Sequence, residues 1–270
     1  MKVKVLSFKI LWYSNNLNVM NLLASSLAAV TTFTPLSNIE FNMLALTPKE
    51  VETKLDSIIL FTPSDKDGVP ISFEFDVDGN KKNIYFAAFS PSAINFLNDK
   101  VISQSKDKEV KYTYTPKSLS KFSSLIEVEK SKSKKELLDI IYIPDPEQTE
   151  ISKKLLLEQG YKEENIDNFV QNNPMVFCPN PTITATEKNT KSTYIPCSTD
   201  YITMKGLVDK AKIKKKYPWS KVKKPKVMAI PLSQFINTLR TSEEDNIKEI
   251  KVIPTPSSLK VINQINRKKK

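Results

Sequence analysis

The chain has 270 residues, 41 basic against 30 acidic for a net charge of +11, 40% apolar content, two cysteines, four glycines and no histidine. That length buries a proper core for one large domain or two ordinary ones, and the apolar content is that of a folded protein. Without histidine there is no Ser-His-Asp or Cys-His centre and no Cys/His zinc site, and scattered glycines cannot form a nucleotide phosphate loop.

Residues 1–19 are basic and aromatic (Lys2, Lys4, Lys9, Trp12, Tyr13), and residues 20–33 form an apolar stretch too short to span a bilayer. A cationic start before a short apolar core has the form of a signal peptide. Met20, Leu23, Leu27 and Val30 also lie at helical spacing, and the polar residues within the run favour a docked or membrane-surface helix. Thr47-Pro48-Lys49-Glu50 is a capping box with proline in the first turn, opening a helix through Val51 and Leu55.

Strands are expected over Ile58–Thr62, Ile71–Phe75 and Asn83–Phe89, with hairpin turns at Asp67-Gly68 and Asp78-Gly79. A helix follows Ser90-Pro91 with Ile94, Phe96, Leu97 and Val101 on its apolar side. Next come a strand over Val110–Tyr114, a helix from Ser118 carrying Leu119, Phe122, Leu125 and Ile126, and a loop over Lys130–Lys135. The strand Asp139–Ile143 ends in Pro144-Asp145-Pro146, because proline donates nothing to a ladder and turns the preceding residue away from helix. Helical spacing resumes at Ile151, Leu155 and Leu156, with Gly160 closing that helix inside a connection over 147–174.

The same order returns. Met175–Cys178, Thr182–Thr186 and Ser192–Cys197 read as three strands, and Ser198 is placed to cap a helix through Tyr201, Met204, Leu207 and Val208. Val227–Ile230 runs through Pro231 into a helix over Leu232–Leu239, and Lys248–Ile253 ends in a second Ile-Pro-x-Pro, 110 residues after the first. Each half thus reads β-β-β-α-β-α-β-α. The expected architecture is α/β (α+β): two pseudo-repeated halves over 46–146 and 175–265, each a mixed sheet covered by helices, with an N-terminal segment (1–45) and a basic tail (266–270).

Basicity is local. Lys210 to Lys226 holds nine lysines, Arg267 to Lys270 adds four cations, and the remainder carries 28 basic and 30 acidic residues. A solvated loop and tail is the plain reading of such runs. Cys178 and Cys197 flank an apparent hairpin and so can come close in space; two unpaired core thiols are the expectation, and a disulfide, which requires an oxidising compartment, is the alternative.

Several weak motifs occur in a fixed order: Lys54-Leu55, Leu60-Phe61, Gly68-Val69-Pro70, Ser90 through Leu97, and Ile143-Pro144 with Gln148. Pro174-Met175-Val176-Phe177, Ile230-Pro231-Leu232-Ser233, Thr238-Leu239 with Thr241-Ser242, and Ile253-Pro254 follow. In that order and spacing, over roughly residues 45–265, the chain resembles the Tic22-like family of cyanobacteria and plastids, named for a component at the chloroplast inner envelope. The resemblance implies two similar α/β halves side by side, with apolar hollows beside the sheets. It also implies a non-enzymatic, chaperone-like role in protein import, with unfolded precursors and translocon components as partners and no cofactor or metal. The Lys, Asn and Ile content suits a plastid-encoded algal member.

Apolar surface for unfolded clients is then sought at Phe61, Phe73, Phe86 and Phe96 in the first half, and at Phe177, Tyr194, Tyr201 and Leu207 in the second. The competing reading of each is ordinary core. Lys214, Lys215, Lys216, Tyr217, Trp219, Lys221, Lys223 and Lys224 are candidates for contact with a membrane surface or a polyanion. An RNA- or ribosome-associated role through that loop and the tail is the alternative function. The carboxylates Asp139, Asp145 and Glu147, and Glu243-Glu244-Asp245, are placed for helix capping rather than acid-base chemistry.

Overall fold

A computed structural model of the chain describes residues 5–7, 46–77, 80–100, 112–132, 137–187, 190–214, 224–242, 244–260 and 263. The remaining stretches, which include the apolar run at 20–33 and most of the lysine loop, lie outside the described residues. Strand β1 (Val5–Ser7) precedes helix α1 (Pro48–Leu55), whose capping box forms as its sequence dictates. The Glu50 N–H donates to Thr47 Oγ1 at 3.3 Å, and the Thr47 N–H donates to Glu50 Oε2 at 2.7 Å.

The first half continues with β2 (Ile59–Ser64), β3 (Ser72–Val77), β4 (Asn80–Ala88), α2 (Pro91–Lys100), β5 (Thr113–Ser118), α3 (Leu119–Lys132) and β6 (Leu137–Ile143). Helices α4 (Thr149–Glu158) and α5 (Ile166–Asn172) make the connection, and Gly160 takes the left-handed backbone, φ +92°, that ends α4. The second half is β7 (Met175–Asn180), β8 (Ala185–Thr186), β9 (Thr193–Ser198), α6 (Tyr201–Lys214), β10 (Lys226–Pro231), α7 (Leu232–Thr241) and β11 (Ile250–Ile253).

Both sheets are wired alike. In the first, β2 runs antiparallel to β5 and meets β4 at Phe61↔Ala88, while β4 takes β3 antiparallel and β6 parallel. In the second, β7 runs antiparallel to β10 and meets β9 at Phe177↔Ser198, while β9 takes β8 antiparallel and β11 parallel. Phe61 and Phe177 therefore hold the same place, opposite Pro116 in one sheet and Ala229 in the other. Among the described residues the first sheet has one strand more, β1, parallel to β3.

Several details differ from the sequence expectation. Gly68 does take the left-handed backbone of a tight turn, closed by the Ser64↔Pro70 bridge and by the Ile71 N–H donating to the Pro63 carbonyl, but beyond it β2 pairs along β5 and β3 along β4 rather than with each other. The fourth strand of the first half begins at Thr113 and runs through Pro116 to Ser118, further along than Val110–Tyr114. Proline is tolerated there because β5 is an edge strand. The second strand of the second half shrinks to Ala185–Thr186. Ser198 does not cap α6; Asp200 does, accepting the Thr203 N–H at 2.8 Å, while Ser198 donates to the Ile253 carbonyl.

Cys178 and Cys197, expected as free thiols, form a disulfide. The Phe177↔Ser198 register sets them directly opposite on adjacent antiparallel strands, with Cα atoms 4.5 Å apart.

Alternation along the strands produces three cores. Between the sheets lies an inner core of Leu60, Tyr85, Ala87 and Phe89 from one and Val176, Cys178, Cys197 and Val252 from the other. It is filled by Val51 and Leu55 of α1, Leu119, Phe122 and Ile126 of α3, and Leu232, Phe235 and Leu239 of α7. The outer face of the first sheet packs beneath α2, and that of the second beneath α4, α5 and α6. The halves also exchange helices: α1, which leads into β2, packs on β11, and α5, which leads into β7, packs on β6.

Candidate functional site

The outer face of the first sheet is aromatic. Phe61 of β2, Phe73 and Phe75 of β3, and Phe86 of β4 pack with Ile84, Ile141 and Ile143, and Ala93 and Leu97 of α2 close over them. Phe86 meets Phe73 and Phe75 edge-on at centroid distances of 5.6 and 5.9 Å. At the β5 side, the hydroxyls of Tyr112 and Tyr114 both donate to Asn98 Oδ1 of α2, at 3.1 and 2.8 Å. Burial pushes both phenols above their ordinary range, so they act as neutral donors tying α2 to the edge strand.

The second outer face carries Phe177 with Met175 and Ala229 beneath Leu155 and Leu156 of α4, Val170 of α5 and Met204 of α6. Tyr201 meets Phe177 edge-on at 5.8 Å.

Four of the eight client-binding candidates, Phe61, Phe73, Phe86 and Phe177, thus fall on equivalent faces of the two sheets, and the covering helices add three, Phe96 of α2 and Tyr201 and Leu207 of α6. Phe61, Phe73, Phe86 and Phe177 are at most 2% exposed and are core, reachable only if α2 or α6 moves. Phe96, Tyr201 and Leu207 are half-buried at the rims. Tyr194 stands apart, with Lys251 Nζ 5.3 Å above its ring. Of the lysine-loop candidates, Lys214 ends α6 and Lys224 is exposed before β10; Lys215, Lys216, Tyr217, Trp219, Lys221 and Lys223 lie outside the described residues.

Between the halves, the first Ile-Pro-x-Pro motif makes a polar junction. Asp145 Oδ1 accepts the Ser92 hydroxyl at 3.2 Å and the Glu147 N–H at 3.1 Å, and its Oδ2 accepts from Gln148. The Gln148 amide also donates to the Thr199 carbonyl and accepts the Tyr201 N–H at 2.7 Å. The starts of α2, α4 and α6 are joined this way beside a cleft lined by Phe89, Pro144, Val170 and Phe177. These bonds tie three helix starts together, so the junction positions the halves.

Among the described residues no cluster of three or more Cys, Asp or Glu could hold a metal, and no helix is long and apolar enough to cross a membrane. The sequence places Lys54 and Gln148 in motifs without a bonding role and does not mark Asp56 or Gln159, because the partners that give them a role, Lys248 and Ile250, Thr199 and Tyr201, Ser118 and Ser120, and Ala229, are distant in the chain.

No family model matches the chain, and no curated protein matches it. Solved structures similar to this chain include two Tic22 proteins. Tic22 of Anabaena, described as a protein-transport protein, is 16% identical, with a TM-score of 0.63 over 81% of this chain and 97% of that one. Tic22 from Plasmodium falciparum is 18% identical, with a TM-score of 0.56 over 82% of this chain and 99% of that one. This chain has a Tic22-like fold.

Proposed function

We propose that this protein is a non-enzymatic component of protein transport at the plastid envelope, binding unfolded precursor proteins through the apolar rims of its two outer faces. The observation that carries the reading is the fold, shared over 97% of the length of a transport protein. The matched faces beneath α2 and α6 support it, because a half-buried Phe96 or Leu207 offers apolar area beside an aromatic core without unfolding the sheet. The disulfide favours an oxidising side of the membrane. The equal wiring of the sheets supports an origin by duplication, with 46–146 and 175–265 as the repeated units.

The test is suppression of aggregation of an unfolded client at low and high salt. Protection is expected to survive high salt, since apolar contacts are not screened. Phe96→Ser combined with Leu207→Ser is expected to weaken it at least about tenfold while circular dichroism stays native, the loss of roughly 1.4 kcal/mol of contact. Absence of protection at any salt, with salt-sensitive retention of RNA instead, would overturn the reading in favour of a polyanion-binding role.

A further inference from the structure

The edges of the two sheets are closed in different ways. In the second sheet, the Gln159 side chain takes both the N–H and the C=O of Ala229 on β10, at 2.8 Å each. Lys54 Nζ donates to the carbonyls of Lys248 and Ile250 beside β11, at 2.9 and 2.6 Å. Strand β8 has two residues and offers little to pair with. In the first sheet, Pro116 stands on β5 where Ala229 stands on β10 and brings no N–H, and α5 packs on β6. That leaves β3, and its edge holds a strand: Val5, Leu6 and Ser7 pair in parallel with Ser72, Phe73 and Glu74. Among the described residues three pairs cover half of the six-residue β3, and their parallel register comes from a distant part of the chain rather than from a hairpin.

We propose that the β3 edge is a strand-accepting site, that β1 is its displaceable occupant within the chain, and that the ligand in trans is an extended, unpaired stretch of polypeptide. The proposal rests on the reading that this protein holds unfolded precursors and says where their backbone pairs. Phe73 and Phe75 turn into the aromatic outer face, so apolar residues at alternate positions of an added strand lie along that face. Backbone pairing recognises any sequence, and the alternate apolar positions supply the preference.

The test uses the full chain and a variant in which Val5→Pro and Leu6→Pro are combined. Adjacent prolines remove one N–H facing β3 whichever way the strand alternates. A labelled synthetic peptide of residues 1–10 is titrated into both, with a reduced, carboxymethylated and permanently unfolded protein as competitor. The peptide is expected to bind the variant about tenfold more tightly, because the tethered occupant no longer competes at its high effective concentration. The unfolded protein is expected to displace it, and a peptide N-methylated at Leu6 and Ser7 is expected not to bind. Equal binding of the peptide to both proteins, binding to neither, or equal binding of the methylated peptide would overturn the strand-accepting site. Peptide binding that the unfolded protein cannot displace would overturn the assignment of its ligand. Failure of the chaperone reading registers separately, as absence of aggregation suppression by the unaltered chain.

Discussion

Asp56 closes α1 and reaches the start of α3, where its carboxylate accepts the hydroxyls of Ser120 and Ser118. The Ser120 bond, with that of Ser118, holds the carboxyl below its usual range against the opposing pull of desolvation. The folded state therefore binds this proton less readily than the unfolded chain. The stabilisation is present above the unfolded value of about 3.9 and is lost as pH falls through the folded one. Asp56 is solvent-exposed, so its contribution is that of a screened cap, about 1 kcal/mol. Asp56→Asn should lower the unfolding free energy obtained from urea titration by that amount at pH 7, and its deficit should shrink as pH falls below the ordinary carboxylate range. A deficit of the same size throughout the acid range would assign the effect to shape rather than charge. Nothing in the sequence marks Asp56, because its partners lie 62 and 64 residues away. The Thr47–Glu50 box is legible because both members sit within one helical turn. The cysteine pair fails for the same reason as Asp56: only the register of β7 on β9 makes the two neighbours.

At the scale of elements, legibility follows periodicity. The repeated β-β-β-α-β-α-β order and the Ile-Pro stops of β6 and β11 are local patterns, and the elements form in that order, with β5 shifted to Thr113–Ser118 and β8 shortened to Ala185–Thr186. The faces of the sheets were legible too, since strict alternation puts Phe73 and Phe75 on one side and Phe61 with Phe86 beside them. Which of those aromatics reach solvent was not, because that depends on where α2 and α6 come to rest. Edge protection is likewise invisible locally, and Gln159 shows its weight. It lies 70 residues from Ala229 and stands in for a further strand along β10. Gln159→Ala should cost about 1–3 kcal/mol, because both partners on Ala229 lose their bonds, and should open the β10 edge to association. Urea unfolding measures the first effect and light scattering as a function of protein concentration the second. A variant destabilised but monodisperse would show that α4 alone suffices to shield the edge.

For the whole molecule, the inner core and the exchanged helices decide how the halves behave. Both sheets bury one face against the same three helices, and α1 and α5 each brace the last strand of the other half. Opening either sheet exposes the apolar face of its neighbour, so the halves should unfold in one transition although each has the strand wiring of a complete unit. Leu239 of α7 is fully buried at the centre of this layer. Leu239→Ala should cost about 2–5 kcal/mol, the range set by how far a buried site collapses around a lost side chain. Native-state hydrogen exchange gives the decisive reading. If the inner core couples the halves, amides of β2 and β4 should lose protection together with those of β7 and β9, by the same free energy. If β7 and β9 alone were affected, α7 would belong to the second half only, and the two sheets would be separately folding bodies that happen to touch.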